Sequence, residues 1–242
     1  MEPQPSTPKS LRRTALPYLT KIAHGSASFI GTFLLIHLTA PVLANLGGSS
    51  LSSQVMLLGR EYYQTSFGEK YLVLLPLVAH CTTSIAKRLL SPQPIRPWST
   101  LLSVTGYAAF GIFLPIHFIT HRVNPSDPSS PIYSVGPAEL DYEFVKVGLQ
   151  TWPWRSWMLY AGLVGCVALH ASEGMNLIWN TWLRGSLGKP SVSQKTRRIG
   201  AGAAAGLVLS GLLVVSLEPL MTFMSLASRY QESFSKTWIY RL

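Results

Sequence analysis

The sequence predicts an all-α membrane protein with five transmembrane helices, and three observations lead to this prediction. The chain of 242 residues is 48% hydrophobic but only 12% charged, against about 25% charged residues in an average soluble domain. Its charges stand in clusters. Between the clusters, five nearly uncharged stretches reach the length of about 20 residues that a helix needs to cross a bilayer.

Composition also excludes three other classes of protein. The apolar content is too high for a disordered chain, and two cysteines are too few for a disulfide-stabilised fold. The net charge of +10 does not indicate a nucleic-acid-binding domain, because the apolar stretches are free of Lys and Arg that such a domain spreads over its surface.

The five predicted spans divide the chain into a tail, a helical domain and a second tail. Residues 1–21 form a Pro-rich basic tail, residues 22–228 the five-helix domain, and residues 229–242 a short C-terminal tail. The second span ends in basic residues that can extend to the interface, and one acid, Glu173, interrupts the fourth. The spans cover about 22–46, 71–90, 101–120, 157–182 and 199–217.

The first span is predicted to be retained rather than cleaved. It is longer than the apolar region of a secretory signal, and no small-residue cleavage site follows it. The tail before it has the composition of a mitochondrial presequence. However, four prolines there, Pro17 among them, are expected to break the amphipathic helix of a presequence, so cleavage is disfavoured.

Two further segments carry structural predictions. The loop 122–155 and the residues just after it predict an extended strap at the membrane interface, because aromatic residues favour that depth. The residues behind this prediction are Pro125, Pro128, Pro131 and Pro137 with Trp152, Trp154 and Trp157. In the fifth span Gly202, Gly206 and Ser210 recur at every fourth position, a spacing that lets helices approach closely. We expect this stripe to pack inside the bundle in preference to forming a dimer seam.

The charge distribution predicts an orientation. The predicted side A, which holds the N-terminal tail and the loops after the second and fourth spans, carries twelve basic residues and one acid, Glu2. Side B carries eight basic residues and eight acids. The bias of Lys and Arg places side A on the cytoplasmic face or its organellar equivalent, where attraction to anionic lipid also explains the charge.

Each of the first four spans contains one histidine well inside it: His37, His80, His117 and His170. Any one of them is explained by a hydrogen bond to a neighbouring helix, but the set of four matches the axial ligands of b-type haem. Counted from side A, His37 lies about 22 Å deep and His117 about 24 Å, whereas His80 lies about 15 Å and His170 about 18–20 Å deep. The count pairs His37 with His117 and permits His80 with His170, as two stacked haems require.

Three other polar groups keep alternative roles. We expect His121 either to contact a haem carboxylate or to be a solvated interfacial residue. The same two alternatives apply to His24, at the side A end of the first span. Glu173 neutralises a cation or bonds to His170 or Asn176. No phosphate-binding loop, paired-His metalloprotease motif or activated nucleophile is present in the sequence, so we predict that the chain is not an enzyme.

These motifs carry a resemblance. Four segments together resemble the dihaem cytochrome b anchor of succinate dehydrogenase and fumarate reductase. They are the stretches from His24 to His37, from Pro76 to His80, from Thr105-Gly106 to His117 and from His170 to Gly174. That resemblance implies a four-helix haem-type bundle plus one additional helix and two haem b groups. It implies the ligand pairs His37 with His117 and His80 with His170. The short interval between His24 and His37, and the long segment after His121, depart from the pattern.

The whole chain resembles more closely a fungal family of mitochondrial outer-membrane proteins that share this anchor-like domain. The resemblance implies a role in mitochondrial lipid homeostasis as an adaptor that recruits a bridge-like lipid-transfer protein of the vacuolar-sorting class at membrane contact sites. It implies a cytosolic N-terminus and a C-terminus in the intermembrane space. A Pro-x-Pro motif carries the docking in that family; this sequence has two such segments on side A, and ordinary loop prolines are the alternative. The segments are Pro3-Gln4-Pro5 and Pro92-Gln93-Pro94.

Three functional hypotheses follow. The first is the adaptor. The second is a redox anchor that passes electrons to or from a quinone through two haems. The third is a haem-handling or lipid-handling membrane protein without electron transfer.

Overall fold

The computed structural model describes residues 8–91, 97–188 and 192–241, and all regular elements within these ranges are helical. Five helices there are long and apolar enough to cross a membrane, which confirms the all-α fold and the five apolar helices. We number the helices α1 Pro8–Tyr63, α2 Gly68–Leu90, α3 Leu101–Ser126, α4 Tyr142–Thr151, α5 Pro153–Leu187, α6 Gln194–Leu217 and α7 Met224–Ser235; a short 3₁₀ turn, Trp238–Tyr240, follows.

The chain forms two compact units, which we describe separately. The first unit consists of Met1–Ile36 and Arg60–Thr100, and the second of His37–Gly59 and Leu101–Leu242. Helix α1 therefore contributes to both units.

Helix α1 is longer than the predicted span 22–46 at both ends. Pro17, expected to break a helix, lies within it. At the other end the backbone turns at Gly47 and at Gly48, whose φ of 60° favours glycine, and the helix then resumes. Both carboxylate oxygens of Glu218 accept from the Ser49 backbone N–H, at 3.2 and 3.1 Å. A side chain distant in sequence thus caps the resumed helix, which is why local sequence predicted a loop there.

In the first unit, α2 packs against the first part of α1. The contact is made by His80 of α2, whose Nδ1 lies 2.9 Å from the Ala23 carbonyl oxygen. Within α1 itself, the ring of Phe33 meets that of Tyr63 edge to face at 5.3 Å between centroids. Helix α2 opens with a π-helical segment, Gly68–Leu74, just before Pro76, whose ring and missing N–H disturb the regular ladder.

In the second unit, α6 packs against α5 and α1 through small side chains. Its buried positions follow helical spacing and are Ala201, Ala205, Val208, Leu212 and Val215. The prediction that the stripe packs inside the bundle is wrong for Gly202 and Gly206, because both are exposed and a Cβ at either would meet nothing within 4 Å. Its third member, Ser210, does contact α1, since its hydroxyl donates to the Asn45 side-chain oxygen at 2.8 Å. Gly211, one residue beyond the stripe, makes the close helix contact instead, against the Pro41 carbonyl.

The segment predicted as an extended strap is folded into a cap with its own core. Helix α4 begins at Asp141, whose carboxylate accepts from the Glu143 backbone N–H at 2.8 Å. Its buried face meets α7, which together with the following 3₁₀ turn occupies most of the segment predicted as a C-terminal tail. The aromatic side chains of the two segments explain this difference, because they bury against each other. The shared core contains Ile132, Phe144, Val147, Tyr230, Phe234 and Tyr240.

Polar contacts fix the loop before α4. The carboxylate of Asp127 accepts from the Ser129 backbone and hydroxyl and pairs with Lys236. These donors, the Lys236 hydrogen bond first, hold the pKa of Asp127 well below its ordinary value. Arg229 bonds to the Ile132 carbonyl at 2.8 Å. The loop is therefore held from α7.

Candidate functional site: the helix histidines

His80 and His170 have the same local arrangement in different units. In the first unit Nδ1 of His80 lies 2.9 Å from the Ala23 carbonyl oxygen, and in the second Nδ1 of His170 lies 3.0 Å from the Leu102 carbonyl oxygen. A carbonyl can only accept, so in each contact Nδ1 carries the hydrogen. Metal-binding histidines are commonly held in this state by a backbone carbonyl.

The position of the His170 ring depends on a glycine. A Cβ on Gly106 would lie 2.7 Å from both Nδ1 and Cε1 of that ring, closer than side-chain carbons approach one another. Helix α3 thus supplies both the carbonyl that orients His170 and the space that it occupies. The Thr105-Gly106 pair, which the resemblance singled out, is next to this histidine.

His37 and His117 lie together in the second unit, as the depth count predicted. Their ring centroids are 6.1 Å apart and the rings are nearly perpendicular, at 83°. A transition metal binds an imidazole nitrogen at about 2 Å, and the nitrogen lies roughly 1 Å from the ring centre. Two rings facing one metal therefore stand about 6 Å apart. The observed separation fits two axial ligands, and it also falls in the range of ordinary aromatic pairs.

His121 belongs to an aromatic cluster under the cap, and the reading of a solvated interfacial residue is wrong. Its ring centroid lies 4.5 Å from that of His117 and 5.4 Å from that of Phe144, and Nε2 is 3.1 Å from the Tyr160 hydroxyl oxygen. The folded cap covers this histidine, which an extended strap would have left in water. Tyr160 itself is 7% exposed.

A small cavity lies beside this cluster. It is lined by polar groups of His117, Thr120, His121 and Tyr160 with three neighbours, and its volume of about 10 Å³ is close to the minimum for one water. This cavity is far too small for a macrocycle. The only observation in the described residues that bears on a haem here is therefore the separation of the His37 and His117 rings.

His24 lies at the end of the first unit, half-buried and within electrostatic range of Lys87 and His80. Its predicted contact with a haem carboxylate stays a prediction. The pairing of His80 with His170 likewise stays a prediction, since the two belong to different units. In the described part of the chain no group of three or more His, Cys, Asp or Glu side chains could hold a metal by itself. Any metal bound by a histidine pair must bring further ligands of its own, as a haem does.

Glu173 neutralises cations, which decides between the roles predicted for it. Its carboxylate lies 2.7 Å from Nε of Arg198 and 3.9 Å from a terminal nitrogen of Arg197. Both arginines stand in the first turns of α6, which the sequence placed in a loop, so this acid ties α5 to the start of α6.

Sequence reasoning missed a buried ion network at the opposite end of α6. The Lys146 side chain has no exposed surface, and its Nζ donates to Glu143 at 2.5 Å, the Pro219 carbonyl at 2.9 Å and the Ser49 hydroxyl at 3.2 Å. Glu218 stands 3.5 Å from the same nitrogen. The network joins α1, α4 and the end of α6. The only signal in the sequence was the charge of Lys146 inside an amphipathic stretch.

The four predicted partner contacts, Pro3, Pro5, Pro92 and Pro94, lie outside the described residues. Comparison of the chain with protein-family models, with curated proteins and with solved structures found no match.

Proposed function

We propose that this chain is a multi-pass protein of the mitochondrial outer membrane that acts as an adaptor in lipid homeostasis, recruiting a lipid-transfer protein of the vacuolar-sorting class. The observation that carries the proposal is the contrast between the ends of the helices. The polar segments predicted on side B fold into a cap with its own hydrophobic core. The segments predicted on side A are strongly basic in the sequence, and they include both Pro-x-Pro motifs. A chain built in this way acts through what binds to its side A.

Recruitment of the partner in cells tests this proposal. The lipid-transfer protein is fused to a fluorescent protein, and its mitochondrial fraction is measured with wild type, with Pro3→Ala/Pro5→Ala and with Pro92→Ala/Pro94→Ala. Loss of recruitment in one variant, at unchanged protein level, identifies the docking segment. Unchanged recruitment in both variants and in a variant lacking residues 1–15 contradicts the adaptor function.

Orientation is tested independently of recruitment. Single cysteines are introduced at exposed positions predicted on opposite sides, Lys195 on side A and Tyr133 on side B, in a chain without its own two cysteines. A thiol reagent that cannot cross the outer membrane is added to intact mitochondria. It should label the cysteine at position 195 and leave the cysteine at position 133 unlabelled. The reverse pattern would place the Pro-x-Pro segments on the wrong side for a cytosolic partner.

The second candidate is a haem-binding redox anchor, which the histidine geometry favours. His37 and His117 would hold one haem b, and the resemblance implies a second held by His80 and His170. When bound, a b-type haem supplies one-electron transfer. The chain's own contribution is orientation: the Ala23 and Leu102 carbonyls accept from Nδ1 of two of the rings.

The absorption spectrum of the detergent-purified protein decides this second candidate. Wild type should show a Soret band, His37→Ala and His170→Ala should each lose one haem, and His24→Ala should change the spectrum least. A wild-type protein without a Soret band, prepared from haem-supplemented cells, would return all four histidines to helix packing and leave the adaptor proposal intact.

A further inference from the structure

We infer that the segment 217–224, which joins α6 to α7, is inserted into the edge of the lipid bilayer and fastens the cap to the membrane. Its partner is the hydrocarbon just below the lipid headgroups rather than a soluble protein. The inference rests on membrane insertion of the five apolar helices but not on the adaptor function.

The apolar side chains of this segment project away from the rest of the fold. Met221, Phe223 and Met224 are between 80% and 85% exposed, and Leu217, at the end of α6, is 77% exposed. No Asp, Glu, Lys or Arg occurs in residues 219–228. A contiguous exposed apolar surface of this kind marks contact with a protein or with a membrane, and the surroundings of the segment favour the membrane.

The backbone of the segment is satisfied by one face of α4. Three polar side chains there, Glu143, Lys146 and Gln150, are three and four residues apart and so lie on the same side of the helix. Each is bonded to the backbone of residues 216–221, at 2.8 to 3.1 Å. The groups that they satisfy are the carbonyls of Ser216, Glu218 and Pro219 and the N–H of Met221.

These contacts are what a segment in hydrocarbon requires. Backbone polar groups enter a bilayer only when the protein itself supplies their hydrogen bonds, since no water is present there. The charges on this face of α4 are also balanced within the fold. Lys146 has no exposed surface, and its Nζ lies 2.5 Å from the Glu143 carboxylate and 3.5 Å from that of Glu218. The segment therefore combines an internally bonded backbone with apolar side chains that face outward.

The length of α6 places the segment at the edge of the bilayer. Its uncharged stretch 199–217 is about 27 Å long at 1.5 Å per residue, close to the hydrocarbon thickness of about 30 Å. Leu213 and Leu217 are four residues apart, share a face of α6 and are both exposed. The outward face of the apolar helix thus continues directly into the segment, so the lipid that surrounds the helix also meets the segment.

Cysteine labelling in phosphatidylcholine nanodiscs, which leave both faces of the membrane open to water, tests the inference. Met221→Cys and Phe223→Cys are made singly in the full chain without its own two cysteines. The controls are Leu207→Cys, exposed within α6, and Glu232→Cys, exposed on α7. A thiol reacts as its thiolate, and removal from water raises the pKa of a thiol. A charged maleimide should therefore label positions 221 and 223 at least about tenfold more slowly than position 232.

Contact with lipid is measured with a fluorophore attached to each cysteine and with nitroxide-labelled phosphatidylcholine as the quencher. Emission should be quenched at positions 207, 221 and 223 and kept at position 232. Fast labelling at 221 and 223, with 207 protected, would show that the segment faces water, and would overturn the inference while leaving membrane insertion intact.

Two other results would also overturn the inference. Slow labelling at 221 and 223 without quenching would show that protein, and not lipid, covers the segment. Labelling of position 207 as fast as position 232 would show that α6 itself is not inserted. Because neither readout involves the lipid-transfer protein, the result stands apart from the recruitment experiment.

Discussion

Replacing Lys146 by Met should destabilise the protein more than any other exchange of a lysine in the cap. Methionine preserves most of the volume of the stem but removes the ammonium group that lies between Glu143 and Glu218. Breaking a buried ion pair by removing one partner costs about 3–5 kcal/mol, because the other charge stays behind without compensation. The two carboxylates are 13% and 31% exposed, so water reaches them in part and the lower end of the range, about 3 kcal/mol, applies.

The measurement is the apparent unfolding midpoint of the detergent-purified protein, taken at one scan rate for all variants because unfolding in detergent is readily irreversible. For a chain of this size, about 3 kcal/mol corresponds to a decrease of roughly 6–12 °C. Lys236→Met is the matched control: its partner is Asp127, and the lysine is 38% exposed. The control should lower the midpoint by no more than about 2 °C.

The same network gives a pH dependence. Partial burial opposes ionisation of Glu218, but the Ser49 hydrogen bonds and the Lys146 charge outweigh it, so the pKa of Glu218 is lower than its ordinary value of 4.5. The stability that this carboxylate contributes is therefore present above pH 4.5 and is lost as the pH falls through its lowered pKa. Lys146→Met should reduce this loss. Equal midpoints for the Lys146 and Lys236 variants at neutral pH would refute the reasoning, because they would show that the buried ammonium contributes nothing beyond a surface charge.

Two further predictions concern glycines. Gly211→Ala should lower the unfolding midpoint, since its Cβ would overlap the Pro41 carbonyl and overpacking costs about 1–3 kcal/mol. The control, Gly206→Ala on the same helix, should leave the midpoint unchanged or raise it, since its Cβ meets open space. Equal decreases in the two variants would contradict the packing described for α6. Gly106→Ala should displace the ring of His170 and, if the Soret band proposed above is present, remove one haem without altering any histidine; retention of full haem content would show that this ring is not a ligand.

The apolar helices could be predicted from the sequence because a stretch of about 20 apolar residues is a local signal. The cap could not, because it depends on contacts between segments distant in the chain. Phe144 stacks on Phe234 at 4.5 Å, and neither residue stands out in its own stretch. The helix after Gly48 was missed for the same reason, since Glu218 supplies its N-terminal cap from 169 residues away.

One part of the candidate site, the proximity of His37 and His117, could be predicted from the sequence. Histidines inside apolar stretches are rare enough to be noticed singly, and constant rise along a helix converts their positions into depths. This is why His37 and His117 could be paired by counting. The carbonyl partners of His80 and His170 could not be read in the same way, because any backbone oxygen is an acceptor and only the fold selects Ala23 and Leu102.

Basic residues predicted on both sides pair with acids of the fold. On side B, Lys146, Arg229 and Lys236 each pair with an acid of the cap, so their charge holds the cap together. On side A, Arg197 and Arg198 pair with Glu173 and tie the start of α6 to α5. Basic residues on either predicted side therefore contribute to the fold, so a variant that tests function on side A needs the unfolding midpoint as its control.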